Sequence, residues 1–361
     1  MKWLGKFPDP FIGEIAGQPD ALRRAAAGLA AQRPALIEIA DAARARSIAF
    51  TGMGSSYDAC YPVVTGLARA GVIAVMVDAS ELLHFRRAML DATTLVVAVS
   101  QSGESAEVVR LARALAELPD PPFLVAVTNG WTNTLAREAA VVLDTGAGAE
   151  TGPSTMTFAA SLVCLAALGG ALAGEDPDRV IERVREEAER AARAIEGLLQ
   201  DEELPARLAD LLGERRSAVI LGRGPARAAA EMGALTLKEA AGMAIESLQT
   251  AQFRHGPLEL AGPDLAAVVI ATEPETYDLD VGLAEELVAA GSAVLVVTAG
   301  DRGTGRAPSG GALRVDIGNL GGPVSPAASI VPAQLLAWCL AARRGRRPGT
   351  YERASKVTTI E

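Results

Sequence analysis

Aromatic residues are scarce: three Trp, four Tyr and seven Phe in 361 residues. The core must therefore be assembled from Ala, Val, Leu and Ile. Histidine occurs only twice, which argues against a multi-histidine metal centre. The three cysteines, Cys60, Cys164 and Cys339, have no metal-ligand spacing and sit among small or apolar neighbours. They read as packed thiols in a reducing compartment. Basic residues are outnumbered, 34 against 44 acidic, for a net charge of −10. That balance argues against a nucleic-acid partner, whose phosphates need clustered Lys and Arg. No apolar run is long enough to cross a bilayer; the longest, Leu162 to Ala173, is short and contains two glycines. The opening MKWLGKFPDPF lacks the apolar core of a signal peptide. The expectation is a cytoplasmic enzyme-sized chain with no membrane segment, metal or cofactor.

What the sequence does have is centred on Leu95–Ser105. Leu95 to Val99 is a continuous apolar run, as for a strand buried on both faces. It breaks into Ser100-Gln101-Ser102-Gly103-Glu104-Ser105, and apolar residues then return at helical spacing at Val108, Leu111, Ala112 and Leu115. A strand, a hydroxyl-rich turn and a helix can hold a phosphate. The first-turn N–H groups are unpaired, the helix dipole favours an anion, and the hydroxyls add neutral donors. An ordinary turn with a serine N-cap has the same local pattern.

Around this stretch, strands alternate with helices. Residues up to 45 start irregularly, with Pro8, Pro10 and Pro19, before helical patterns over Ala21–Ala31 and Ala35–Ala45. Strands are predicted at Ser47–Thr51, Ile73–Val77, Phe123–Val127 and Val141–Leu143, besides the central one. The turn Gly52-Met53-Gly54-Ser55-Ser56 leads to a helix near Tyr57, and a further helix over 151–173 is entered through Gly152-Pro153-Ser154-Thr155. Residues 176–199 form a charged helix with one apolar stripe, Val180, Val184, Ala188, Ala191 and Ile195, suited to connecting two domains.

The second half repeats the first. Ala49–Gly54 matches Val219–Gly224 at an offset of 170, Val96–Ser100 matches Val268–Thr272 at 172, and Val125–Thr128 matches Leu295–Thr298 at 170. The pattern predicts two tandem α/β domains, each a doubly wound parallel sheet in a three-layer α/β/α sandwich. The expected division is a 1–34 arm, a 35–175 first domain, a 176–204 connector, a 205–345 second domain and a 346–361 tail. Where the first copy has its serines, the second has Thr272-Glu273-Pro274-Glu275-Thr276-Tyr277. Two carboxylates and a proline repel an anion and remove a donor, so only the first lobe is expected to bind phosphate.

In the second half, Glu231–Ala241 reads as a helix carrying Lys238 and Glu239 near its end, and His255 precedes Gly256-Pro257 on a predicted turn. By spacing alone, Glu239 is a solvated helix charge and His255 a surface or capping residue. His84, in Leu82-Leu83-His84-Phe85, reads as a packing or dimer contact, and the polar tail from Arg353 to Glu361, with its Lys356, reads as a frayed end.

The combination of Thr51-Gly-Met-Gly-Ser-Ser56, Ser100–Ser105, Val127-Thr-Asn129, Glu150-Thr-Gly-Pro-Ser-Thr155, Leu221-Gly-Arg-Gly224, Leu237-Lys-Glu239, Arg254-His-Gly-Pro257 and Lys356-Val-Thr358 resembles the sugar isomerase (SIS) family. The similarity covers roughly residues 14–361 and points to the tandem-domain isomerase part of glutamine–fructose-6-phosphate aminotransferases. It implies that Ser100, Gln101, Ser102 and Ser105 hold a sugar phosphate. Gly54, Ser55, Ser56, Pro153, Ser154 and Ser355 complete the substrate-binding set. It also implies that Glu239 moves a proton between C1 and C2, that His255 from a neighbouring subunit assists ring opening, and that Lys356 forms a Schiff base with the ketose carbonyl. A homodimer sharing its active site follows.

The chain departs from that pattern. Lys2 stands where a glutaminase would have its cysteine, so glutamine is not the expected ammonia source. Met156 and Thr236 replace lysines, Ala244 a histidine, Gln252 a glutamate, and Ser105 a threonine. The expectation is a phosphosugar isomerase or deaminase, converting glucosamine 6-phosphate to fructose 6-phosphate and ammonia. A fructosamine-phosphate deglycase, an aldose–ketose isomerase and a non-catalytic phosphosugar-binding regulator are the alternatives.

Overall fold

The buried runs pair as two all-parallel five-stranded sheets. The computed structural model describes residues 9–44, 46–215, 217–300 and 310–361. These form two units. The first lobe comprises Asp20–Glu150, Thr155–Glu189 and Arg353–Glu361. The second comprises Thr151–Ser154, Arg190–Glu352 and the described residues up to Pro19.

In the first lobe, β1 (Ser47–Thr51), β2 (Ala74–Met76), β3 (Thr94–Ser100), β4 (Phe123–Thr128) and β5 (Val141–Asp144) lie in the order β2-β1-β3-β4-β5. Every residue of β3 is buried, as its unbroken apolar run requires of a central strand. The order reverses between β1 and β3, so a crevice opens at their carboxyl ends, where the Gly52–Ser56 and Ser100–Ser105 turns lie.

The first helix among the described residues is α1 (Pro10–Gly28), followed by α2 (Arg33–Ala43), α3 (Ser55–Asp58) and α4 (Cys60–Arg69). The next helices are α5 (Ala79–His84), α6 (Ala106–Ala116), α7 (Thr134–Glu138), α8 (Met156–Leu172) and α9 (Pro177–Gln200). Helices α2, α4 and α8 pack together on one face of the sheet. Helices α5, α6 and α7 pack on the other, around Val96, Ala98, Val108, Leu111, Leu115 and Leu124. Helix α8 is apolar on nearly all sides and correspondingly buried.

Two expectations need correction. The segment before Ala21 is not irregular: α1 starts at Pro10 and continues through Pro19. A proline at a helix start gives up only an N–H that has no partner there. Pro19 does remove an internal bond, but the helix is held by side chains buried before and after it, Ile12, Ile15 and Leu22. Pro8 lies outside the described residues. The helix expected near Tyr57 starts at Ser55 and is broken at Ala59 into α3 and α4.

The second lobe repeats the architecture with β6 (Ser217–Gly222), β7 (Glu246–Gln249), β8 (Leu265–Ala271), β9 (Ala293–Thr298) and β10 (Leu313–Asp316), in the order β7-β6-β8-β9-β10. Its helices are α10 (Leu204–Leu212), α11 (Ala226–Ala241), α12 (Thr250–Phe253), α13 (Tyr277–Ala289), α14 (Pro326–Ser329) and α15 (Val331–Arg343). Helices α10, α11 and α15 pack together, while Phe253, Tyr277, Val281 and Leu287 from α12 and α13 close the opposite face over Leu221, Val269 and Val296. Both edge strands, β7 and β10, escape the sequence reading because β7 has one aliphatic residue and β10 only two. The stripe on α9 is buried at all five predicted positions. Among the described residues no helix is long and apolar enough to cross a membrane.

Candidate active site

The first lobe brings the two hydroxyl turns together. The Gln101 amide donates to Ser56 Oγ at 3.4 Å, tying the turn after β1 to the turn after β3. Ser100 is buried; its Oγ accepts from Gly103 N at 3.2 Å and lies 3.3 Å from Ser105 Oγ. Ser102 Oγ accepts from Glu104 N at 3.1 Å. The loop closes so tightly that only glycine fits at 103. Its φ is +63°, and an added Cβ would lie 1.9 Å from Asn133 Oδ1. Gly52 is similarly constrained, because its Cβ would meet the Val99 carbonyl oxygen at 2.8 Å. Glu104 does not face an anion. Its carboxylate accepts from Thr134 N and Oγ1 at 2.7 and 2.8 Å, and these hydrogen bonds hold it below the usual glutamate range. Ser55, Ser56, Gln101, Ser102 and Ser105 are half-buried and Gly54 is exposed, so the turn is accessible to a ligand.

The tail belongs to this same lobe and is not frayed. Thr358 O accepts from Ala106 N, the first amide of α6, at 3.0 Å. The Glu361 carboxylate lies 2.6 Å from His84 Nε2 and 2.5 Å from Arg110 Nη1, so His84 anchors the tail. Hydrogen bonding to His84 and then Arg110 depresses the Glu361 carboxyl. Lys356 is not solvated: its side chain is 18% exposed and its Nζ lies 2.6 Å from Glu150 Oε2. Glu150 is fully enclosed and also accepts from Thr155 N and Oγ1 and from Thr157 N and Oγ1. Sequence reasoning quoted Glu150 within a motif but gave it no role. A carboxylate just ahead of two threonines at the start of α8 was the available signal. Ser355 is exposed, and its hydroxyl donates to Val357 O.

The second lobe holds the remaining candidates. Glu239 is half-buried in the last turn of α11. The helix stops at Gly242 (φ +60°), whose N–H donates to Lys238 O in the αL closure, while Met243 N donates to Leu237 O. A carboxylate at this end is opposed by the helix dipole, so helix stability does not explain its presence. Thr236, three residues earlier, is fully buried with its hydroxyl on Met232 O, and so cannot stand in for a lysine. His255 is exposed on the turn between α12 and a 3₁₀ turn at Pro257–Leu260, as its position before Gly-Pro predicts. Pro153 is buried and Ser154 half-buried, in a segment whose Thr151 and Gly152 amides donate to Glu14.

At the place equivalent to the serine turn, the second lobe is filled by its own charges. Arg223, after β6, donates from Nε to Asp280 Oδ1 at 2.7 Å, and Thr276 Oγ1 donates to Asp280 Oδ2 at 2.9 Å. The Asp280 side chain is 1% exposed, and burial pushes its carboxyl above the ordinary value against the pull of Arg223. Glu273 and Thr272 are buried beside this loop.

A doubly wound parallel sheet, repeated, with a hydroxyl turn at one switch point, defines a tandem α/β protein with one candidate anion site. The SIS domain profile matches residues 42–170 and 211–304, and the chain belongs to that family. It is 31% identical over 376 residues to a glutamine–fructose-6-phosphate aminotransferase of Pyrobaculum aerophilum, with all of this chain and 59% of that protein covered. The chain thus spans about six-tenths of that relative's length. Its fold superimposes on the C-terminal domain of glucosamine–fructose-6-phosphate aminotransferase from Francisella tularensis with a TM-score of 0.84 at 24% identity, covering 94% of this chain and 97% of that one. It also superimposes on glucosamine-6-phosphate deaminase from Thermotoga maritima, with a TM-score of 0.73 at 20% identity over 96% and 99% of the two chains.

Proposed function

We propose that the protein is a glucosamine-6-phosphate deaminase that releases fructose 6-phosphate and ammonia. The observation that carries this reading is the first-lobe arrangement: a serine turn fit for a phosphate, and in the same lobe a sequestered lysine held at a buried carboxylate. The hydroxyls of the serine turn anchor the phosphate, the first amide of α6 being already given to Thr358 O. Anchoring the far end of the sugar fixes C1 and C2 for reaction. His255 assists ring opening, and Glu239 moves a proton between C2 and C1 through an enolamine. Lys356 forms the Schiff base with C2 that exchanges for the departing ammonia. The family membership and the named relatives support a phosphorylated amino or keto sugar as substrate.

The test is ammonia and fructose 6-phosphate release from glucosamine 6-phosphate. Neither product above background would overturn the reading. A panel of phosphosugars separates the neighbouring chemistries, since amino-acid release marks a deglycase and aldose–ketose exchange without ammonia an isomerase. Binding without turnover on the whole panel would mark a regulator. The reading includes a homodimer with His255 crossing between subunits. Mixing Glu239→Gln and His255→Ala variants would restore activity in a shared site and leave it absent in an unshared one.

A further inference from the structure

The proposed chemistry leaves one demand unmet. A lysine forms a Schiff base only as the neutral amine, and the proton it sheds needs an acceptor. The atom closest to hand is Glu150 Oε2, 2.6 Å from Lys356 Nζ. We propose that Glu150 is the proton acceptor and anchor of Lys356, a role that rests on the Schiff-base reading above.

The surroundings suit that task. The Glu150 side chain is fully enclosed, which holds its carboxylate at the amine and away from bulk solvent. Its Oε1 is committed to Thr155 N and Oγ1 and to Thr157 N, which fixes the carboxylate plane. Its Oε2 takes the Thr157 hydroxyl and the lysine. One oxygen is therefore structural, and the other faces the amine. Lys356 itself sits on a tail pinned on its far side, by Thr358 O at the start of α6 and by the Glu361 carboxylate at His84 and Arg110. The nucleophile is thus held between a buried acceptor and a docked tail.

The Lys356 ammonium passes a proton to Glu150, and the neutral amine attacks the ketose C2. The C–N bond forms as the C=O π bond breaks, and the carbonyl oxygen becomes a hydroxyl by taking a proton from nitrogen. Glu150 then returns its proton to that hydroxyl, which leaves as water, and the carbon–nitrogen double bond of the iminium forms. Glu150 ends as it began.

The experiment incubates the full chain with fructose 6-phosphate and sodium borohydride, and follows the reduced sugar adduct on Lys356 by mass spectrometry. In the native protein the adduct should form, and Lys356→Met should abolish it. Glu150→Gln should slow its formation roughly 100-fold near neutral pH, the scale of a lost general base. The loss should shrink as pH rises and solvent takes over deprotonation. A purely structural role would lower stability without this pH dependence. Glu150→Asp keeps the charge one methylene farther away and should trap at an intermediate rate, which also covers failure of the glutamine variant to fold. Trapping by Glu150→Gln or Glu150→Asp at the native rate with the native pH profile would overturn the role of Glu150 and leave the Schiff base standing. No adduct in the native protein would overturn the Schiff base, and the role of Glu150 with it.

Discussion

Where the first lobe presents hydroxyls, the second presents an ion pair. The two sheets share a strand order, and in each the order reverses beside the loop that follows the central strand. In the first lobe that loop carries Ser100, Ser102 and Ser105, whose hydroxyls bond only within the turn. In the second, Arg223 and Asp280 satisfy each other at 2.7 Å from opposite sides of the same crevice. A phosphate entering there would have to displace a carboxylate already bonded to the guanidinium. The repulsion expected from Glu273 and Glu275 is thus the lesser reason. A duplicated scaffold can divide its work without altering its backbone, by filling one crevice with its own charges.

The contrast can be broken in several ways, beginning with the largest effect. If the second lobe supplies the proton shuttle rather than the anchor, Glu239→Gln should cost about 10²–10⁴ in kcat with little change in KM, measured by ammonia release. Asp280→Asn should destabilise the second lobe by about 3–5 kcal/mol, read by denaturant or thermal unfolding, because it leaves a largely buried guanidinium without its charge partner. Ser100→Ala or Ser102→Ala should raise KM for the phosphosugar by about 10–100-fold, the value of roughly 1.5–3 kcal/mol for a hydrogen bond to a charged group. Thr272→Ala in the second lobe should leave KM unchanged, and an equal loss there would end the claim of asymmetry.

The smallest effect concerns the tail, which only the first lobe has. Glu361 has a depressed carboxyl in the folded chain, so its contribution is present above the ordinary glutamate value of about 4.3 and is lost as pH falls through the lowered one. Hydrogen exchange at Ala106, whose amide donates to Thr358 O, should accelerate modestly on that acid side, and Glu361→Gln should show the faster exchange already at neutral pH.

The architecture was legible where the physics is local. Buried central strands need unbroken apolar runs, and β3, β8 and β9 have them. The edge strand β7, Glu-Ser-Leu-Gln, has one side open and needs none, so it left no trace in the hydropathy. Helix α1 was obscured by Pro19, whose cost is offset by tertiary burial that no local rule anticipates. The serine turn was visible because hydroxyls, glycine and a helix start are neighbours in sequence. The pairs Glu150–Lys356 and Arg223–Asp280 were not, since their members are 206 and 57 residues apart. Reading by spacing alone therefore assigned the tail and its lysine to solvent, and only the family resemblance singled Lys356 out.

That separation of 206 residues also sets a timetable. A ribosome adding about 5–20 residues per second makes Glu150 some 10–40 s before Lys356. During that interval the strands and the serine turn of the first lobe are already made but no amine faces Glu150, while Arg190–Glu352, most of the second lobe, is made. On the proposed function, the growing chain gains its phosphate anchor before its reactive amine, so reactivity is the later of the two to arise.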